Sequence, residues 1–136
     1  MDELIKYIQE LCERVAQEDA NASEIAQSLG NVRELVFQSL LVNPANDEWL
    51  NEITVNQNAT DDDVNHIKLQ LSNPLELEAL EKIFGPYNKM GGRSKSPSQA
   101  MFGIQAQSDT HTTTLMAAIR QNTTDEITIR RDIRLV

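Results

Sequence analysis

The chain has 136 residues, of which 40 % are hydrophobic, 21 are acidic, 12 are basic and one is cysteine. That is enough for one folded domain with its own core; it excludes an internal disulfide, and no apolar run approaches the ~18 residues of a membrane-spanning helix. The net charge of −9 is uneven: residues 1–81 hold seventeen acids against four bases, and residues 82–136 hold four acids against eight bases, which predicts an acidic lobe and a mildly basic one that choose partners by charge.

Residues 1–18 read as an amphipathic helix, with Leu4, Ile5, Ile8, Leu11, Cys12 and Val15 on one face. Glu10 and Arg14 are spaced to pair along it. Cys12 falls inside the apolar stripe and reads as a small buried hydrophobe. Ser23 is placed to cap a second short helix that runs to Leu29 and stops at Gly30. Residues 32–42 fit both helical and strand periods; their β-branched and aromatic content and the Asn43-Pro44 stop favour one strand from about Glu34. Strands follow over about 49–57 and 64–71, the latter with Ile67, Leu69 and Leu71 on one face and His66, Lys68 and Gln70 on the other. A helix over 72–86 has Ser72 or Asn73 as cap, Pro74 in its first turn and Gly85-Pro86 as its stop. Residues 86–110 read as a long, partly mobile loop, and strands over 112–120 and 126–132 complete the chain.

The expected fold is therefore a single α+β domain over 1–136: an antiparallel sheet of about five strands with two to three helices on one face. A helix ending in an apolar residue plus glycine occurs twice, at Leu29-Gly30 and Phe84-Gly85, and suggests two helix–strand–strand units.

Catalytic and metal-binding patterns find no foothold. His66 and His111 are isolated, Cys12 has no adjacent base, and Asp61-Asp62-Asp63 lacks the spacing of a calcium loop. No cofactor and no enzyme activity are expected. Glu24-Ile25-Ala26-Gln27-Ser28-Leu29-Gly30, with Val36 and Leu40 downstream, resembles the first helix and turn of helix-turn-helix proteins. That resemblance implies a nucleic-acid-binding regulator using residues 23–41, against which the acidic N-terminal region argues. Gly91-Gly92-Arg93-Ser94-Lys95-Ser96 offers basic residues in a loop, suited to an anion or an acidic partner. Lys68, Arg120 and Arg130 are placed to share one exposed sheet face if the last two strands pair.

The candidate partner-binding residues are thus Arg93, Lys95, Lys68, Arg120, Arg130, Asp61, Asp62 and Asp63. The favoured function is a non-catalytic protein-binding module of the bacterial adaptor, inhibitor or immunity type, acting through charged patches. The alternatives are the helix-turn-helix regulator and a small enzyme or ligand-binding domain with its pocket under the 86–110 loop. The acidic start, Met1-Asp2-Glu3, lacks the pattern of a secretory signal, so the expected compartment is the cytoplasm. A protein partner is expected, nucleic acid is disfavoured, no membrane is implied, and a homodimer is left open.

Overall fold

A computed structural model describes residues 2–91, 98–104 and 110–133. Three helices, α1 (Asp2–Val15), α2 (Ala22–Leu29) and α3 (Leu77–Phe84), accompany eight strands. The strands are β1 (Gly30–Val36), β2 (Ser39–Pro44), β3 (Leu50–Gln57), β4 (Val64–Glu76), β5 (Asn88–Gly91), β6 (Ser98–Ile104), β7 (His111–Ala118) and β8 (Thr123–Ile133). They form one antiparallel sheet in the order β1-β2-β3-β4-β8-β7-β6-β5. Two four-stranded meanders meet along β4 and β8, so the order is symmetric about that seam. The α+β class and the antiparallel sheet hold, but the expectation of about five strands in helix–strand–strand units does not: each half supplies four strands.

The extra strands have two sources. Residues 32–42 do not form one strand. The chain reverses at Phe37 and Gln38, with Val36 opposite Ser39, and residues 30–44 become a hairpin. A helix-turn-helix would need a second helix there, and the hairpin takes its place. The described part of the expected 86–110 loop folds into β5 and β6. Its alternation of Ala100 and Phe102, both fully buried, is the strand period that a glycine-rich neighbourhood had obscured.

Side chains directly opposite in antiparallel strands point to the same face. One row runs Leu40, Val55, Ile67, Ile129, Leu115, Phe102 across six strands; the next runs Val42, Ile53, Leu69, Ile127, Ala117, Ala100. Every one of these residues is buried, and they join Leu4, Ile8, Leu11 and Val15 of α1, Ile25 and Leu29 of α2, and Leu77 and Leu80 of α3 in a single core. The intervening rows are polar or mixed: Asn56, His66, Arg130 and Thr114 in one, Thr54, Lys68, Thr128 and Met116 in another. Aromatic contacts tie the end of α3 to the sheet, with the ring centroid of Phe102 5.3 Å from Tyr87 and 6.2 Å from Phe84.

Two helix starts differ from expectation, each for a local reason, while α3 stops at Gly85 as expected. Asn21, not Ser23, caps α2: its side-chain oxygen accepts the Glu24 N–H at 3.0 Å. Helix α3 begins at Leu77 rather than near Ser72. Pro74 disfavours helical backbone at Asn73, and Leu75 and Glu76 pair with Thr124 and Thr123 of β8, so the segment stays in the sheet with an irregularity. Gly85 ends α3 at φ 85°, a left-handed value that glycine adopts without strain, and its N–H bonds the Glu81 carbonyl at 2.9 Å.

Gly30 stops α2 in a different way. Its φ of 164° is extended backbone that any residue can adopt. The requirement is space, because a Cβ built there would lie 2.1 Å from the Asn43 carbonyl oxygen and 2.8 Å from the Ala45 nitrogen. Both contacts are with backbone and cannot be relieved by a rotamer change. Replacing Gly30 with alanine is expected to lower stability by about 1–3 kcal/mol by forcing β1 and β2 apart. Urea unfolding of the G30A variant measures this, and an unchanged midpoint would contradict the close approach.

Candidate functional site

The charge halves of the sequence do not persist as two lobes. The β4–β8 seam interleaves them, and five ion pairs among the described residues lie on the sheet and its turns. Arg33 meets Glu52 at 3.0 Å, Lys68 meets Glu126 at 3.4 Å, Arg120 meets Asp125 at 3.5 Å and Arg130 meets Asp132 at 2.9 Å. Lys68 and Arg130 do share a face, as the alternation predicts, with Lys68 opposite Thr128 and Arg130 opposite His66. Arg120 does not join them; it lies in the β7–β8 turn, bridged to Thr123. Arg93 and Lys95 lie outside the described residues.

Most of the remaining charge lies on the helices, the linker between α1 and α2, and Glu76 at the start of α3. Residues 2–29 hold seven acids and two bases, and residues 76–84 hold three acids and one base, a net of −7 out of −9. None of the described acidic side chains of α1, α2 or α3 enters an ion pair, and Glu10 and Arg14 do not pair. The potential is therefore divided by layer: an acidic helical side, and a sheet with its turns on which Arg33, Lys68, Arg120, Arg130 and Arg131 each meet an acid while, among the described residues, Glu34 and Lys89 do not pair.

The Asp61–Asp63 turn has an internal structural use. Asp61 accepts the Asp63 N–H at 2.8 Å and the Asn58 side-chain amide at 3.0 Å, and these bonds, the backbone one foremost, hold its carboxyl below the usual range. The Asp62 carbonyl accepts the Ala22 N–H at 2.8 Å, fastening the start of α2. Asp63 stands 3.8 Å from the guanidinium of Arg131.

Arg131 is the most consequential polar side chain that the sequence pattern did not single out. Only 4 % exposed, it donates to the carbonyls of Val15, Gln17 and Glu18 at 2.9, 2.8 and 2.9 Å. Helix α1 ends without glycine or proline, and this cation from β8 satisfies its orphan carbonyls at the negative end of the dipole. Nearby, Cys12 is buried, and that burial pushes its thiol up to about 12, so it stays protonated at neutral pH. Burial, followed by a neighbouring cation, also lowers His66 and His111: Lys68 acts on the first and Arg131 on the second.

Two surface features remain. The first is a groove of about 490 Å³ between α1 and α3, lined by Ile5, Lys6, Gln9, Ala79, Lys82 and Ile83 together with Glu76 and Glu78. Ile83 is 50 % exposed there. The groove shares Glu76 and Glu78 with a second cavity of about 480 Å³ that adds Glu81, Tyr87 and Asn122. The second feature is the β1–β2 tip, where Leu35, Val36 and Phe37 are 57, 41 and 95 % exposed. Phe37 takes a left-handed φ of 57° with almost no packing to offset it.

Neither a family model, nor a curated protein, nor a solved structure matches the chain. Among the described residues no helix is long and apolar enough to cross a membrane, and no three His, Cys, Asp or Glu side chains are grouped to hold a metal ion.

Substituting Arg131 by methionine is expected to cost on the order of 2–3 kcal/mol, because charge-assisted bonds to helix carbonyls are lost. Hydrogen exchange should then accelerate first in the last turn of α1; uniform exchange behaviour would show that the helix end does not depend on Arg131. At the tip, Phe37→Asn is expected to raise stability by about 0.5–1 kcal/mol, since asparagine tolerates the left-handed conformation. Chemical denaturation reads this directly, and a loss of stability would reveal a packing role for the ring.

Proposed function

We propose that the protein is a non-catalytic binding module of the adaptor, inhibitor or immunity type, working in the bacterial cytoplasm on a basic protein partner. The observation that supports this is the layered charge: the helical side concentrates a net of −7 with its described acids unpaired, while the cations Arg33, Lys68, Arg120 and Arg130 of the sheet and its turns are matched locally. An unneutralised field of one sign speeds encounter with the opposite sign and repels nucleic-acid phosphates. The partner surface therefore shifts from the sheet cations favoured by the sequence to the helices.

A variant with Glu10, Glu13, Glu18 and Glu24 changed to glutamine keeps the apolar face of α1 and α2 and removes much of the field. Immobilised wild-type protein is expected to retain a basic protein from cells at about 0.05 M salt and to release it at about 0.5 M, where exposed charges are screened. The glutamine variant should retain little at either salt. Retention of no protein at low salt, or equal retention by the two forms, would refute a role for the acidic layer.

A further inference from the structure

We infer that the groove between α1 and α3 is the docking site for an amphipathic helix whose apolar face is flanked by lysine or arginine. This rests on the binding-module proposal and assigns it a place and a ligand shape. The apolar part of the groove lining is Ile5, Ala79 and Ile83, and Ile83 is half exposed. A large aliphatic side chain left open beside a concave surface is the usual receptor for one or two anchor side chains of a docked helix.

Charge complementarity chooses the occupant. The groove shares Glu76 and Glu78 with the cavity that adds Glu81, Tyr87 and Asn122, and among the described residues no cation lines that second cavity. Lys6 and Lys82 line only the first cavity. A partner with an apolar stripe in the first cavity and a cation in the second satisfies both, and acids at its other edge would meet the two lysines. A second copy of this chain is a poor occupant, because it brings another −9 to the same acidic surface.

The probe is a fluorescein-labelled synthetic peptide of repeated Leu-Lys-Lys-Leu-Leu-Lys-Leu units, compared with a shuffled peptide of equal composition that has no apolar face. Anisotropy titrations with the full chain at low salt are expected to show the patterned peptide binding about tenfold tighter than the shuffled one. Ile83→Glu, at a half-exposed position, should remove most of that difference; Ile83→Ser, which adds no charge, should reduce it several-fold. Glu78→Gln with Glu81→Gln should weaken binding and flatten its salt dependence, whereas Glu24→Gln on α2 should change neither. If the patterned peptide binds the Ile83 variants as tightly as wild type, the groove is not the site, although the acidic layer would still stand as a binding surface. If neither peptide binds the wild-type protein at low salt, the binding-module proposal fails as well.

Discussion

The structure depends on covering one face of an eight-stranded sheet. Two continuous rows of aliphatic side chains cross six strands on that face, from Leu40 to Phe102 and from Val42 to Ala100. Left in water they would represent a large hydrophobic penalty, and the three amphipathic helices supply the complementary apolar surface. Everything polar is arranged around that requirement. The Arg131 side chain reaches from β8 to close the end of α1, the Asp61–Asp63 turn fastens the start of α2, and Gly30 lets the end of α2 pass directly into β1 beside the backbone of Asn43.

The same constraint sets the electrostatics. Burying the apolar faces of the helices turns Glu3, Glu10, Glu13 and Glu24 outward, and Glu18 and Asp19 in the linker are exposed beside them. The β4–β8 seam places residues of the acidic half against residues of the basic half, and pairs such as Lys68–Glu126 and Arg131–Asp63 cancel charge across it. Exposed pairs such as Lys68–Glu126 add little to stability, but they offset the charge of Arg33, Lys68, Arg120 and Arg130 on the spot. An imbalance spread along the chain thus becomes an imbalance between layers, and the proposed partner surface lies on the helical side.

The Phe37 tip stands apart from this economy. An aromatic side chain in left-handed backbone, 95 % exposed, neither packs nor relieves strain. Nothing in the fold accounts for an aromatic there, in contrast to Gly30 and Gly85, where steric or dihedral demands are explicit.

Helix α1, the alternation of Ile67, Leu69 and Leu71, and the last strand over 126–132 were legible from the chain alone, because a period of two or of 3.6 is a property of neighbouring residues. The place of Cys12 in the core was legible for the same reason. The division of 32–42 into a hairpin was not: both periods fitted, and pairing of β1 with β2 and of β2 with β3 decided between them. Neither was the start of α3, where pairing of Leu75 and Glu76 with β8 outweighed the helix-starting signal of Pro74. The proposed binding surface was the least legible part. Arg131 reaches Val15 across 116 positions, and Ile5 meets Ile83 in one groove only because the two meanders close along β4 and β8. Periodicity is local and is carried by the sequence, whereas which charges cancel and which apolar faces stay open depends on contacts that exist only once the sheet has closed.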